Sequence, residues 1–241
     1  MRDIITIPFK GEDSLIIACD NSGAIGMKGQ DSVHVPYETV AYYSFRVAVM
    51  ECIAAGGQPL SVVLHNFCGN EPWDELVRGV QKGLFELDLN NVVITGSTES
   101  NFPLLQSAVG LVVIGKKSFV QPTEMVYAEQ MKIAVVGMPL VGNEVIDQNE
   151  HVVPLSIFHE ISLGNNVKIW PVGSKGILFE LNQMFSNKEF SKEMVMTNVD
   201  VSKSSGPATC FIVIYYPDQE DKLMKMAGDF FHSVQIIRSK K

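Results

Sequence analysis

The stretch between Tyr37 and Ala55 constrains the fold of this chain most, because it is apolar on nearly every side. Only Glu38, Arg46 and Glu51 are charged within it. The pattern predicts one long helix, and a helix that is apolar all round is usually buried in a core. Glycines at positions 56 and 57 and a proline at position 59 predict that the helix ends there. Glycine accepts the left-handed cap conformation, and proline cannot continue a helix.

The segment before this helix joins an apolar strand to a glycine-rich loop. The strand is predicted over Leu15–Cys19, and it delivers Asp20 into the loop Asn21–Gly29. Strand ends next to flexible turns are where α/β folds place ligand-binding groups. Aspartate is also a common first residue of turns, so Asp20 is either a ligand-binding group or a turn residue. Gly23 and Gly26 would let backbone amides approach a phosphate, although their spacing differs from the dinucleotide-binding fingerprint.

Strands and helices are mixed along the whole chain, which predicts an α/β or α+β fold. Each half contains a strand, a glycine turn and a long helix, and Gln121-Pro122-Thr123 interrupts the pattern between the halves. We therefore place the boundary near residues 116–130. The prediction is an N-terminal domain over 1–120 and a short C-terminal domain over 121–241.

The composition is that of an ordinary globular protein with a core, with 46% hydrophobic and 19% charged residues. A net charge of −8 argues against a nucleic-acid-binding surface, which would need clustered lysine and arginine. We find neither an apolar run long enough to cross a membrane nor a signal peptide, so we expect a cytoplasmic protein with no membrane partner. The four cysteines form no CxxC pair, and we interpret them as small buried hydrophobic residues.

A second polar cluster, Thr95–Asn101, follows another predicted strand. Small residues in this cluster would admit a ligand, namely Gly96, Ser97 and Thr98. Glu99 or Asn101 would then bind a metal ion or a hydroxyl group. The alternative is an ordinary polar turn, and which residue of the cluster takes a metal stays open.

Three further features are candidate functional signals. Glu51, near the end of the long helix, either faces a cation or emerges with Arg46 into water at a domain edge. His65 ends a predicted strand and would approach the same site, whereas the other four histidines are interpreted as structural or surface residues. The run Gly110–Lys117 nearly matches a P-loop, but its last residue is not Ser or Thr and its interior is a strand pattern, so we reject that interpretation.

Taken in order, these blocks resemble the ATP-binding superfamily that includes aminoimidazole ribonucleotide synthetase. That superfamily has a strand ending in Asp, then a long helix with an acidic residue near its end and a glycine turn before Pro. Here these features are Asp20, Glu51 and Gly56–Pro59. The block Gly96–Pro103 is similar to the family's glycine-acid-threonine block, and Gly11–Ser14 to the Gly-Asp-Asp-Ala of the thiamine-monophosphate kinases. The resemblance implies a two-domain fold with mixed sheets and packed helices.

Within this superfamily the sequence looks most like the α-ribazole kinases of cobalamin lower-ligand salvage. The similar runs are Asp20–Gly26, Val49–Gly56, Leu64–Gly69 and Thr95–Asn101. The resemblance implies an enzyme that uses ATP and Mg²⁺ to phosphorylate α-ribazole to α-ribazole 5'-phosphate. Thiamine-monophosphate kinase and a non-catalytic nucleotide-binding regulator on the same fold remain as alternatives.

The resemblance also implies roles for individual residues. The Mg²⁺ ligands would be Asp20, Glu51, Glu99 and, as a weaker candidate, Asp13. The ATP-binding residues would be Asn21, Gly23, Gly26, Lys28, Gly96, Ser97 and Thr98. Lys28 or Arg46 would offset charge that develops during phosphoryl transfer, and Asp20 or His65 would accept the proton of the acceptor alcohol. Family members typically form homodimers in which the first domains pair through their strands, with ATP near that junction, and we expect the same here.

Overall fold

The computed structural model describes residues 4–118 and 125–237. The chain divides into two compact units, Arg2–Gln121 and Pro122–Lys241. Both units mix strands and helices, which confirms the predicted α/β (α+β) class.

The N-terminal unit is built on a sheet whose described strands number five, in the order β1-β2-β7-β5-β6. Neighbouring strands are antiparallel except β5 and β6, which are parallel. Strands β2, β5 and β6 therefore point the same way, and their carboxyl ends meet at one edge of the sheet. The strands of this unit, including the short pair β3 and β4, are β1 (Ile4–Lys10), β2 (Asp13–Gly23), β3 (Ile25–Gly26), β4 (Val33–His34), β5 (Gln58–Asn66), β6 (Val93–Thr98) and β7 (Ala108–Ser118).

Two helices lie on one side of this sheet, α1 (Tyr37–Ala54) and α2 (Trp73–Glu86). Helix α1 contacts β2, β5 and β7 on one side and α2 on the other, so it lies between two layers. The prediction that this helix is buried is confirmed, because most of its side chains are buried, including Phe45, Val49 and Met50. The Tyr42 hydroxyl donates to Glu86 Oε2 at 3.0 Å, which joins the two helices at their surface.

The predicted loop Asn21–Gly29 is wrong in its first part. Strand β2 continues through Asp20 to Gly23, where it pairs with the first residues of β7, from Ala108 onward. The cause is tertiary, because β7 supplies hydrogen-bonding partners that the local glycine-rich sequence does not reveal.

The C-terminal unit contains a second sheet, whose described strands have the order β10-β12-β8-β11-β9 and are all antiparallel. Every residue of β11 is buried, as expected for a strand whose sheet is covered on both faces. Phe158 of α4 packs edge-on against Phe211, while Leu181 and Met184 of α5 pack in a cluster with Ile212. The strands and helices are β8 (Lys132–Val136), α3 (Glu144–Asp147), α4 (Leu155–Ser162), β9 (Lys168–Pro171), α5 (Gly176–Met184), β10 (Val195–Met196), β11 (Phe211–Tyr215), α6 (Glu220–Ala227) and β12 (Phe231–Ile236).

Strand β10 has only two residues, Val195 and Met196. The glycine turn at 173–176 leads directly into α5, where Gly176 has a φ of +82°. A Cβ at Gly176 would lie 2.7 Å from the carbonyl oxygen of Lys203, so packing against that segment requires glycine here. Within the described ranges, no helix combines the length and apolar character needed to cross a membrane.

We predict that Gly79→Ala destabilises the N-terminal unit. Gly79 lies where α2 crosses α1, and an added Cβ would collide with the Glu38 carbonyl oxygen and lie 2.9 Å from the Tyr42 nitrogen. Alanine favours an isolated helix by about 1 kcal/mol over glycine, but overpacking typically costs about 1–3 kcal/mol. Chemical denaturation should therefore show a lower free energy of unfolding. Gly29→Ala is the matched control, since no described atom lies within 4 Å of its Cβ position, and an unchanged or increased stability of Gly79→Ala would contradict the prediction.

Candidate functional site

The candidate site lies at the edge of the N-terminal sheet where β2, β5 and β6 end. The loops that follow these three strands lead into β3, into α2 and into β7. Both long helices begin at this edge, because the Tyr37 hydroxyl lies 2.9 Å from Ser107 Oγ and the Trp73 ring packs beside Gly96. Helix N-termini expose unpaired N–H groups and carry partial positive charge, which favours anions.

A cavity of about 600 Å³ opens at this edge. Its walls combine glycines, polar groups and apolar side chains from the loops between β3 and β4, between β5 and α2, and between β6 and β7. The lining residues are Lys28, Gly29, Phe67, Cys68, Gly69, Asn70, Glu99, Ser100, Phe102, Pro103, Leu104 and Leu105.

Lys28 connects two walls of this cavity. Its ammonium nitrogen donates to the carbonyl oxygen of Leu104 at 2.9 Å and to that of Phe67 at 3.4 Å. A lysine ammonium has three N–H donors, so these two bonds leave a third that can meet a ligand. Among the residues predicted for the site, Lys28 is the one with both a positive charge and a position in the cavity wall.

A buried carboxylate, Asp31, holds the Lys28 loop in place. Its two oxygens accept hydrogen bonds from the Lys28 amide at 2.8 Å and from the Ser107 amide and hydroxyl, each at 2.7 Å. Since the Ser107 proton is directed to Asp31, the Tyr37 hydroxyl must donate to Ser107 Oγ. Burial raises the pKa of Asp31, but the hydrogen bonds from Ser107 and Lys28 outweigh it, and the pKa lies below its ordinary value of 3.8.

A second buried polar side chain, Asn66, organises the opposite wall. Its amide nitrogen donates to the Gly69 carbonyl at 2.7 Å and to Thr98 Oγ1 at 3.1 Å, and its oxygen accepts from the Cys68 amide at 2.8 Å. The Asn66 carbonyl also accepts from the Glu99 amide at 2.8 Å. One side chain therefore fixes the loop after β5 and joins it to the end of β6.

The sheet places the predicted site residues on two different faces. Asp20 lies in a row with Leu111, Leu64 and Gly96, and the two leucines are buried beneath the helices. Asn21 lies in the next row, with Gly110, His65 and Ser97, on the face away from the helices. A Cβ at Gly110 would be 3.3 Å from Asn21 Oδ1 and 3.4 Å from His65 Cβ, so these two side chains flank a gap in the sheet surface. Asp20 and His65 therefore cannot act from the same side.

Arg46 is not a ligand-binding residue. Its side chain is 0% exposed within α1, which also contradicts its emergence into water at a domain edge. Burial raises the pKa of Tyr42, and the positive charge of Arg46 inside the core opposes this rise. A residue without exposed surface cannot touch a substrate, so its role is structural.

The four predicted metal ligands do not converge. Asp13 and Asp20 lie in one strand, and at roughly 3.3 Å per residue their Cα atoms are about 23 Å apart. Asp13 instead binds Lys116 at 2.8 Å and Ser118 at 2.9 Å, and the first of these partners most strongly lowers its pKa. Glu99 Oε1 accepts from the amides of Asn101 at 2.7 Å and Phe102 at 3.1 Å. Across residues 4–118 and 125–237, no three His, Cys, Asp or Glu side chains are grouped so that they could hold a metal ion.

Two of the predicted phosphate-binding glycines have packing roles. A Cβ at Gly26 would lie 2.5 Å from Ser107 Oγ and 2.9 Å from the Tyr37 ring, so this buried glycine admits protein atoms and not a phosphate. A Cβ at Gly96 would collide with the Leu64 carbonyl and approach the Trp73 ring to 2.9 Å. Gly23 differs from both, because no described atom lies within 4 Å of its Cβ position.

The comparisons with known proteins bear on the fold. No family model and no curated protein matches the sequence. The structure is similar to PurL of Thermotoga maritima complexed with ADP, with a TM-score of 0.63 at 10% identity, covering 98% of this chain and 42% of that one. It is also similar to the protein tt0281 from Thermus thermophilus, with a TM-score of 0.63 at 11% identity, covering 99% and 87%. For a chain of the HypE–HypF complex the TM-score is 0.55 at 13% identity, covering 92% and 85%.

The chain has the aminoimidazole ribonucleotide synthetase-like fold. These structural similarities confirm that part of the sequence-based expectation. The identities are too low to show more than the fold, and the chain spans less than half of the PurL chains that it matches.

Sequence reasoning missed most of the residues that shape the cavity in this fold. Asp31, Ser107 and Asn66 gave no signal, because their importance comes from contacts across long sequence separations. Phe102–Leu105 did carry a signal that we did not use, since four successive apolar residues in a predicted loop are unusual.

We predict that Asp31→Asn destabilises the protein in a pH-dependent way. Because the folded-state pKa is depressed, the carboxylate contributes stability above about pH 4, and the contribution is lost as pH falls through the folded-state pKa. Losing charge-assisted hydrogen bonds should cost about 1–3 kcal/mol at pH 7, measured by urea denaturation. The difference from wild type should shrink as pH falls through the folded-state pKa, which lies below 3.8.

The exposed residue Glu71 lies at the same edge of the sheet, and Glu71→Gln is the matched control. A cost for Asp31→Asn that stays constant from pH 7 down to a pH well below the folded-state pKa would show that the ionised carboxylate is not what stabilises these loops.

Proposed function

We propose that this protein is an ATP-dependent kinase that phosphorylates a small-molecule alcohol, and that the alcohol is α-ribazole. The observation that carries the proposal is the convergence, at one sheet edge, of two helix N-termini, the Lys28 ammonium and a cavity of small-molecule size. Similar structures of PurL complexed with ADP and with ATP support a nucleotide at this fold. The sequence resemblance described above supports the choice of acceptor.

The nucleotide-binding role is proposed for the N-terminal domain, residues 1–120. The phosphates would lie at the ends of β2 and β6. The residues there are Asn21 and Gly23 in β2 and Ser97 and Thr98 in β6. Asp20 is half-buried on the helix-covered side of the sheet, near the end of β2, and it is the residue that would hold Mg²⁺. Glu51 lies near the end of α1 that is opposite to the candidate site, so it would not reach the same ion. Mg²⁺ bound to a nucleotide needs only one or two protein carboxylates, which fits the absence of a three-residue site among the described residues. When bound, the ion would neutralise charge on the phosphates.

The proposed reaction is an in-line transfer. The acceptor hydroxyl oxygen forms a bond to the γ-phosphorus while the bond from that phosphorus to the β–γ bridging oxygen breaks, and its electron pair leaves with ADP. We propose that His65 accepts the hydroxyl proton, because it is exposed and lies on the same side of β5 as Phe67 of the cavity wall. The Lys28 ammonium, in the cavity wall, offsets negative charge on the transferred phosphoryl group.

The test is an assay for ADP formation with pure protein, ATP and Mg²⁺. With α-ribazole we expect ADP and the phosphorylated product in equal amounts. With thiamine monophosphate, or without an acceptor, we expect little ADP. Turnover of thiamine monophosphate in preference to α-ribazole would overturn the proposed acceptor. ATP binding without transfer to either compound would overturn the kinase proposal and favour a regulator.

Site variants serve as controls for this assay. Asp20→Asn should lower turnover by more than about tenfold through weaker phosphate positioning, and His65→Gln should do so through loss of the proton acceptor. Each variant should retain the wild-type unfolding midpoint, and Glu71→Gln should remain active. Wild-type turnover of Asp20→Asn would remove this residue from the site.

We further propose that two copies of the chain pair through the face of the N-terminal sheet that α1 and α2 leave uncovered. Ile5, Ile7 and Val93 lie on this face, and all three are exposed apolar side chains. Exposed apolar side chains on one sheet face favour association through that face. Sedimentation should give a dimer for the wild type and a monomer for Ile7→Asp, with the exposed residue Phe85→Asp as control. A wild-type monomer at micromolar concentration would exclude this pairing.

A further inference from the structure

We infer that the cavity at the sheet edge binds the phosphoryl acceptor and not ATP, and that it selects an uncharged molecule with a flat apolar ring. The inference rests on the proposed function and assigns the two substrates to different places. Phe67, Phe102, Leu104 and Leu105 would cover the ring, and Lys28 would meet the hydroxyl-bearing end.

The apolar wall is the first observation. Phe102 and Leu105 are 75% and 72% exposed, and both line the cavity together with the exposed residues Phe67 and Leu104. Single exposed apolar side chains are ordinary on protein surfaces, but four around one cavity form a patch that usually marks a binding site. A flat ring covered by these side chains would remove apolar surface of both partners from water.

The charges in the cavity are the second observation. Lys28 and Glu99 are the ionisable side chains of opposite sign among its lining residues, so their charges offset one another. A triphosphate placed here would bring several negative charges close to the Glu99 carboxylate, and like charges repel most strongly where water is excluded. An uncharged ring compound carries no such penalty. Its hydroxyl groups could meet the third N–H of Lys28 and the side chains of Asn70 and Ser100, which also line the cavity.

The rigidity of the walls is the third observation. Asn66 holds the backbone on both sides of Cys68, and Asp31 ties Lys28 to Ser107 just beyond the apolar run. Glu99 fixes the amides of Asn101 and Phe102. Both walls are therefore shaped before a ligand arrives, which lowers the entropic cost of binding.

Calorimetry on the full chain tests the inference without relying on turnover. The probes are benzimidazole as the isolated ring, α-ribazole, and ATP with Mg²⁺. Wild type should bind α-ribazole and, more weakly, benzimidazole. The double variant Phe102→Ala/Leu105→Ala should weaken both by at least about fivefold, equivalent to roughly 1 kcal/mol, and leave ATP binding within about twofold.

The matched control is Phe85→Ala, because Phe85 is 80% exposed on α2 and is not among the cavity residues. It should leave all three affinities unchanged. The inference would be overturned if the double variant bound α-ribazole as tightly as the wild type does. It would also be overturned if the wild type bound neither ring compound. If the double variant bound ATP more weakly by the same factor, the nucleotide would lie in the cavity and the inference would also be overturned. A different result would reject only the kinase proposal. In that case the ring compounds bind in a way that depends on Phe102 and Leu105, but no phosphorylation occurs, and the assignment of the cavity to the ring compound is kept.

Discussion

The burial of α1 is the constraint on which the rest of the N-terminal unit depends. The helix has no polar face, so it needs an apolar layer on each side, and the sheet and α2 provide them. Its start lies beside Ser107, and Cys52 near its end packs against Gly57 and Gly115, so the helix runs the length of the sheet. Because both helices begin where β2, β5 and β6 end, the same packing gathers three loops and two helix N-termini at one edge. The candidate site is thus a consequence of how this unit buries its most apolar segment.

The strongest sequence patterns predicted the elements well, and local polar patterns predicted the site poorly. The long helix was found because periodicity directly reports which side chains are buried. The loop expected after Asp20 was wrong since β7 supplies a partner for Asn21–Gly23 that lies far along the chain. Arg46 was misassigned because sequence cannot tell whether a charge on an apolar helix reaches a ligand or lies inside the core. Asp13 was wrongly predicted to bind the metal, because the resemblance of Gly11–Ser14 to a family motif does not indicate how far Asp13 lies from Asp20.

The cavity could not have been predicted, for a physical reason that its residues make clear. Asp31 contributes by joining Ser107 to Lys28, and the Asp31–Ser107 contact spans 76 residues of sequence. Asn66 contributes by joining two loops, one of which follows a different strand. Each of these residues is an ordinary polar residue in its local context, and only burial in the fold turns it into an organising group. The apolar run Phe102–Leu105 was visible in the sequence, but its meaning depends on the strand order that brings Phe67 beside it.

The two faces of the sheet impose a final constraint on any chemistry at this site. Asp20 lies on the helix-covered face, whereas Asn21, His65 and Ser97 lie on the other, and a sheet has no passage between its faces. Groups from both faces can act on one pair of reactants only at an edge, where the strands end. The edge formed by β2, β5 and β6 is the one that also has the Lys28 ammonium and the cavity. If phosphate is held at the strand ends and the acceptor in the cavity, the reacting atoms meet where both sets of side chains can reach them. The proposed division of the two substrates between strand ends and cavity is therefore compatible with the topology.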